Sequence, residues 1–207
     1  AYRISDEETG DELVIDNKYV MSPKELSTIG FLDKILQTGI EVLKIEGRGR
    51  APEYVYMVTK VYKEAVEKYK KGEYTQEKIQ EWIKRLETVY NRGFWHGGYY
   101  LGKKLGEWSG THGSQAKKEK KYVGIVKNYY PQAKAGLLSI EAEGIKKGDE
   151  IIITGPTTGL VQCTVESIRD DENKAIINAK KGEEVTLPSK EKLRRNDKVF
   201  KIVDRYA

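Results

Sequence analysis

Cysteine is nearly absent. Cys163 is the sole thiol in 207 residues, which excludes an internal disulfide and any metal site built only from cysteines of this chain. Histidine is almost as scarce, with His96 and His112 alone. Two histidines are too few for a catalytic zinc of the three-histidine kind, and no H-E-x-x-H pair occurs. A Ser–His–Asp or Cys–His set needs a base oriented on its nucleophile. Both histidines lie in a glycine-rich stretch, whereas Cys163 alternates with Val161 and Val165, where a buried, inert thiol is expected. No apolar run approaches the roughly 20 residues needed to cross a bilayer. The opening Ala1-Tyr2-Arg3-Ile4-Ser5-Asp6 has no apolar core of a secretory leader. These absences point to a reducing compartment, a cytoplasmic location and no membrane contact.

What is present is charge and tyrosine. Lys and Arg number 37 against 32 Asp and Glu, a net charge of +5. The pI is near 9.0 and the mean hydropathy -0.66, as for a heavily charged globular chain. The surplus permits contact with nucleic acid without requiring it, because acids and bases are interleaved. The 14 tyrosines gather around Tyr54–Tyr74 and Tyr99–Tyr130. Rings beside lysines stack on bases or sit amphipathically at a core edge, and the pattern alone leaves both readings open.

Two halves read differently. The first runs β-α-β-α-α. Glu12–Ile15 reads as a strand and Tyr19–Met21 as the end of another. Ser22-Pro23-Lys24-Glu25 carries an N-cap, a first-turn proline and a capping-box acid. The predicted helix continues through Leu26, Ile29, Leu32, Ile35 and Leu36, and ends with Gly39 at C′. A strand is expected over Ile40–Ile45. A second helix starts at Ala51-Pro52-Glu53, with Val55, Val58, Val61, Tyr62 and Val66 at helical spacing as far as Gly72. A third starts on the Thr75 cap and runs through Ile79, Trp82, Ile83, Leu86 and Val89. Strand–helix–strand units make parallel sheets that want both faces covered. A closed α/β barrel takes about eight strands, so the first half reads as the last units of an incomplete TIM-like barrel whose N-terminal portion is its expected partner.

The second half, from about Tyr122, reads as all β: Tyr122–Tyr130, Gly136–Glu141, Asp149–Thr154, Leu160–Ile168, Lys174–Ala179, Glu184–Pro188 and Lys198–Val203, separated by turn residues. This spacing suggests a small closed barrel or sandwich. The expected domains are 1–72 for the barrel part, 73–121 for a helix and a glycine, aromatic and basic linker, and 122–207 for the β-barrel. Lys117, Lys118, Lys120 and Lys121 form a basic run in that linker. It reads as a solvated hinge or as a nucleic-acid contact.

The segment richest in chemistry is Lys44-Ile45-Glu46-Gly47-Arg48, directly after apolar Ile40–Leu43. On a strand, side chains alternate, so Lys44, Glu46 and Arg48 would share one phase. At the C-terminal mouth of an α/β barrel that phase carries catalysis; the alternative is an ion-pair cluster closing the barrel end. Arg48 and Arg50, within Gly47-Arg48-Gly49-Arg50, are suited to bidentate contact with a carboxylate or phosphate.

Met21-Ser22-Pro23-Lys24-Glu25-Leu26-Ser27, Leu43-Lys44-Ile45-Glu46-Gly47-Arg48, Tyr54-Val55 and Asn91-Arg92-Gly93-Phe94, in that order, resemble the U32 peptidase family, also called collagenase-like proteases. The resemblance implies a protein of about twice this length, with an N-terminal α/β barrel, helices and a small C-terminal β-barrel similar to those of translation factors. It implies proteolysis by name. Several members are instead implicated in prephenate-dependent or oxygen-independent hydroxylation of RNA pyrimidines or of the ubiquinone ring. Many hold an iron–sulfur cluster on cysteines. Here Ser27 stands where the motif commonly has Cys, so a cluster would belong to the full-length protein, and this chain supplies neither cofactor nor metal site. Glu46, Arg48 and Lys44 are the catalytic candidates; Arg50, Tyr54, Asn91 and Arg92 are the substrate-binding candidates. The leading expectation is part of a tRNA or rRNA hydroxylation enzyme, inactive in isolation, with prephenate as co-substrate and the β-barrel docking RNA. A genuine protease with its catalytic groups upstream and a non-enzymatic RNA- or protein-binding module are the alternatives.

Overall fold

The computed structural model describes residues 2–15, 23–96, 109–110 and 113–206. The readings for Tyr19–Met21, Ser22, His112 and the linker residues Gly97–Tyr100 lie outside the described residues. The chain forms two compact units, 1–44 with 59–116 and 45–58 with 117–207. The architecture is mixed, with three helices described and one large antiparallel sheet.

In the first unit, β1 (Tyr2–Ser5) and β2 (Glu12–Ile15) pair as an antiparallel hairpin. The β3 strand (Glu25–Leu26) pairs in parallel with β4 (Phe94–Trp95). Between them in sequence come α1 (Leu32–Gln37), α2 (Pro52–Lys70) and α3 (Gln76–Leu86). The last two follow their sequence signals closely. Pro52 sits in the first turn of α2, where its missing N–H costs nothing. Thr75 caps α3, its side-chain oxygen accepting from the Lys78 N–H. Val61 and Ala65 on α2, and Ile79, Trp82 and Leu86 on α3, are buried at helical spacing. Glu64 joins the two helices, accepting from Trp82 Nε1 at 3.2 Å and from Arg85 at 2.6 Å.

The helix expected from Ser22-Pro23 is largely corrected. It begins only at Leu32, because the preceding backbone donors are committed elsewhere. The Glu25 N–H donates to Gly93 O at 2.8 Å, and the Ser27 N–H to Trp95 O at 2.9 Å. Helix start signals lose to a partner strand about 70 residues away, which no local pattern reveals. Gly39 does follow the helix at C′, with φ of +81°. The expected Ile40–Ile45 strand is absent. This stretch is irregular and exposed, with Ile40 at 48%, Val42 at 80% and Leu43 at 37%. An apolar run becomes a strand only when another strand takes its backbone groups, and none of the described residues does. The strands described in the first unit are the β1–β2 hairpin and the parallel β3–β4 pair.

The second unit carries β5 (Lys118–Tyr130), β6 (Ala135–Ile140), β7 (Ile145–Lys146), β8 (Glu150–Gly155), β9 (Gly159–Thr164), β10 (Ile168–Arg169), β11 (Ala175–Ile176), β12 (Asn178–Ala179), β13 (Glu184–Pro188) and β14 (Lys198–Asp204). Eight of them form one antiparallel sheet in the order β11-β10-β13-β6-β5-β14-β8-β9, while β7 and β12 pair separately. Val123, Val126, Leu138, Ile140, Ile151, Ile153, Val185 and Val199 alternate inward to a common core. The expected closure into a barrel is not a matter of strand pairing here, since β9 and β11 remain the ends of the sheet. The expected Leu160–Ile168 strand is two pieces, broken where Val165 N–H turns aside to donate to Asp149 O. The Lys174–Ala179 strand likewise divides into β11 and β12. Lys118, Lys120 and Lys121 are no hinge: they are the opening residues of β5. Among the described residues, no helix is long and apolar enough to cross a membrane.

The Arg85 guanidinium, through its hydrogen bond, holds the Glu64 carboxyl below its ordinary value of 4.5, and Trp82 adds to the effect. A depressed folded pKa contributes stability that is present above 4.5 and is lost as pH falls below it. Glu64→Ala, which also strips the buried Trp82 N–H of its acceptor, is expected to cost about 2 kcal/mol at neutral pH. Urea titrations at pH 7 and pH 3.5 check this, with a smaller loss at the lower pH.

Candidate functional site

The proposed mouth residues fall on a turn rather than on a strand. Glu46 and Arg48 are exposed, and the Glu46 carboxylate folds back to accept the Arg48 backbone N–H at 2.9 Å. The Arg50 N–H donates to Gly47 O at 3.0 Å, which tightens the same turn. At Gly47 a Cβ would lie 2.8 Å from Val55 Cγ2, so a side chain there would oblige Val55 to move. The Arg50 guanidinium lies 5.6 Å from the Tyr54 ring centroid, a cation–π contact. Glu46, Arg48, Arg50 and Tyr54 are thus brought together by the entry to α2 in the second unit. Lys44 is exposed and ends the first segment of the other unit. This turn can present one carboxylate and two guanidinium groups to an acidic ligand.

Asn91 and Arg92 belong to the first unit and are engaged structurally. Asn91 is 3% exposed. Its amide donates to Val89 O at 2.9 Å, and its carbonyl accepts from the Gly93 N–H at 3.1 Å. Those bonds shape the turn into β4. Arg92 Nε donates to Glu25 Oε1 at 3.2 Å, with the two side chains only 23% and 13% exposed. Sequence reasoning missed Glu25 in this role; its partner is 67 residues away. Ser27, at the motif's cysteine position, is buried beside this pair of strands.

The basic run is largely neutralised by acids. Lys118 pairs with Glu150 at 2.6 Å, Lys120 with Glu53 at 2.8 Å and Lys121 with Glu119 at 4.0 Å. Lys120 also lies 4.8 Å from the Phe200 ring centroid, and Lys117 is itself engaged. Burial pushes the Glu150 carboxyl up, but hydrogen bonds from Lys118 and Gln162 outweigh it and hold the group low. Glu53 was not among the sequence candidates. One of its oxygens pairs with Lys120, while the other is buried without a hydrogen bond among the described residues. On the same face of β5, Tyr122 donates to Glu141 at 2.5 Å, and that bond first, then burial, pushes the phenol up to about 12.

Among the described residues, neither a hydrolytic set nor a metal set assembles. His96 packs edge-on against Phe31, with centroids 6.4 Å apart. Cys163 is half-buried on β9 against the core, and burial pushes its thiol up. Among the described residues, no three His, Cys, Asp or Glu side chains stand together as metal ligands. An iron–sulfur cluster does not fit the residues present, since one cysteine cannot ligate it.

The deciding comparison is with family descriptions. Residues 1–110 match peptidase family U32, and residues 118–197 match the peptidase family U32 C-terminal domain. The chain belongs to peptidase family U32. A collagenase of Porphyromonas gingivalis is 47% identical over 201 residues, covering 97% of this chain and 48% of the relative. An uncharacterized protease of Methanocaldococcus jannaschii is 32% identical, covering 91% and 46%. The tRNA hydroxylation protein P1 of Bacillus subtilis is 31% identical over 163 residues, covering 76% and 37%. The chain spans about half the length of the relatives it matches most extensively.

Two outcomes check this U32 site geometry. Arg92→Ala should lower stability by about 2 kcal/mol by removing the guanidinium from the half-buried Glu25 carboxylate. In a double-mutant cycle with Glu25→Ala, the coupling should be about 1 kcal/mol or more; additive losses would show that the pair contributes nothing. Cys163 should react slowly with a disulfide reagent at pH 7 and rapidly once urea unfolds the chain.

Proposed function

We propose that this chain is the C-terminal part of a U32 enzyme that hydroxylates a pyrimidine in tRNA or rRNA. The observation that carries the reading is the similarity to a protein named for tRNA hydroxylation, over three-quarters of this chain. The turn at 46–50 supports it: Arg48 and Arg50 are suited to an acidic small molecule such as prephenate, with Glu46 as the group that orients it or moves a proton. The role of the second unit in this reading is to dock RNA. Any iron–sulfur cluster would be held by cysteines in the remainder of the full-length protein, and the barrel completed there.

A second reading, a peptidase, is favoured by the higher identity to a relative named collagenase. Its nucleophile or metal would be supplied from outside the described residues, among which His96 and Cys163 form no such set.

Mass spectrometry of nucleosides from bulk tRNA and rRNA distinguishes the two. Deleting the parent gene should remove a hydroxylated pyrimidine. Wild type should restore it, and Arg48→Ala should restore less than about a tenth, as expected when a co-substrate is deprived of a charge-assisted hydrogen bond. An unchanged nucleoside profile, together with gelatin cleavage by the pure full-length protein, would select the peptidase.

A further inference from the structure

The connection between β13 and β14 concentrates charge in a way that the Lys117–Lys121 run does not. It carries Lys190, Lys192, Arg194 and Arg195, and Lys198 follows at the start of β14; all five are exposed. Among the described residues, none of the five forms an ion pair. The Arg194 guanidinium hydrogen-bonds the Thr158 hydroxyl at 3.2 Å instead. The acids of the connection are Glu191 and Asp197. Asp197 is 2% exposed and spent on the turn, accepting the Arg194 N–H at 2.7 Å.

The backbone that bears these cations is held firmly. Leu193 is buried in the core. The Asn196 N–H donates to Val126 O at 2.8 Å, and the Val126 N–H to Asp197 O at 2.9 Å. Ser189 N–H donates to Lys134 O at 2.8 Å. Such a turn presents its charges without a large ordering cost on binding.

Arg195 and Lys198 also form one wall of a cleft of about 950 Å³ within the second unit. Its other walls include Val55 and Tyr56 from the first turns of α2, and Pro156 and Leu160 from the β8–β9 hairpin. Val55 and Tyr56 are 39% and 38% exposed. Flat apolar and aromatic walls beside unpaired cations match the two chemistries of a single-stranded nucleic acid, whose bases stack and whose phosphates pair with Arg and Lys. An acidic peptide would satisfy the cations but brings no base to lay against the aromatic wall.

We propose that this cleft, walled by Tyr56, Leu160, Arg195 and Lys198, docks single-stranded RNA, with its phosphates on Arg195 and Lys198 and a base against Tyr56. The choice of RNA as the polymer rests on the hydroxylation reading; the cleft itself rests on charge and shape. The Lys118–Lys121 segment, already paired with acids, contributes less.

Fluorescence anisotropy with the whole chain and a labelled oligouridine of about 12 nucleotides, within the usual site size, tests this at two salt concentrations. Arg195→Glu/Lys198→Glu should weaken binding at least about tenfold and flatten the salt slope by about 1.4, or about 0.7 for each phosphate no longer neutralised. Arg195→Gln/Lys198→Gln should act in the same direction and serves if the reversal perturbs folding. Tyr56→Ala should weaken binding about tenfold with the slope unchanged. Lys147→Glu/Lys181→Glu, equal in charge change and on turns outside the cleft, should alter affinity less than about twofold. Failure of the wild-type chain to bind the oligouridine at low salt would overturn the proposal. Binding undiminished in a folded Arg195/Lys198 variant would also overturn it while leaving RNA hydroxylation to the nucleoside assay. Polyglutamate that competes at equal charge and is equally weakened by Tyr56→Ala would reassign the cleft to acidic peptides. An unchanged nucleoside profile alongside cleft-dependent binding would sink the hydroxylation reading alone.

Discussion

The antiparallel pairing of β5 with β6 on one side and β14 on the other is the interaction on which the second unit depends. At Gly124 the strands come so close that a Cβ would lie 1.8 Å from Ser139 O, so no side chain is tolerated there. The register of β5 shifts once against each neighbour, between Val126 and Asn128 and between Val199 and Phe200. Such bulges bend a strand and raise its twist, which lets thirteen residues of β5 serve two partners around one core. The Val126 backbone also anchors Asn196 and Asp197. The cationic connection is therefore positioned by the same strand that organises the core.

Much of this is legible locally. The α2 and α3 helices declare themselves through periodicity and caps, and β2 and β13 have the bounds their alternation suggests. Burial follows the same logic: Val61, Ile79, Trp82 and Leu86 are inside as the helical spacing requires. The failures share a physical cause. Pro23-Lys24-Glu25 carries sound helix-start chemistry, but Gly93 O and Trp95 O accept the backbone donors of Glu25 and Ser27. The Ile40–Leu43 run has strand composition with no described strand to pair with. Both outcomes are decided by residues distant in sequence, to which propensity and pattern are blind.

The charged residues teach a related lesson. A lysine cluster in a sequence looks basic until its acids arrive from elsewhere. Glu150 and Glu53 quench Lys118 and Lys120 from 32 and 67 positions away. The five cations from Lys190 to Lys198 are inconspicuous in the sequence because Glu191 and Asp197 interrupt them. In the folded chain Asp197 is turned inward, which leaves Glu191 as the one exposed acid beside five exposed cations. The Glu46–Arg48 turn, by contrast, keeps its charges accessible in sequence and in fold alike, although as a turn and not as alternate positions of a strand.

The composition of the second unit has a consequence for how such chains can be cut and recombined. Residues 45–58 belong to it although they precede most of the first unit in sequence, whereas the family's C-terminal description covers 118–197 alone. A piece begun at Lys117 would carry every strand of the large sheet, yet it would leave Lys120 without Glu53 and remove the Val55 and Tyr56 wall. Inherited or engineered as that shorter piece, the sheet would travel without one wall of its cleft. The compact unit is discontinuous in sequence, and the segment between Ile45 and Val58 is the part a boundary drawn at Lys117 would overlook.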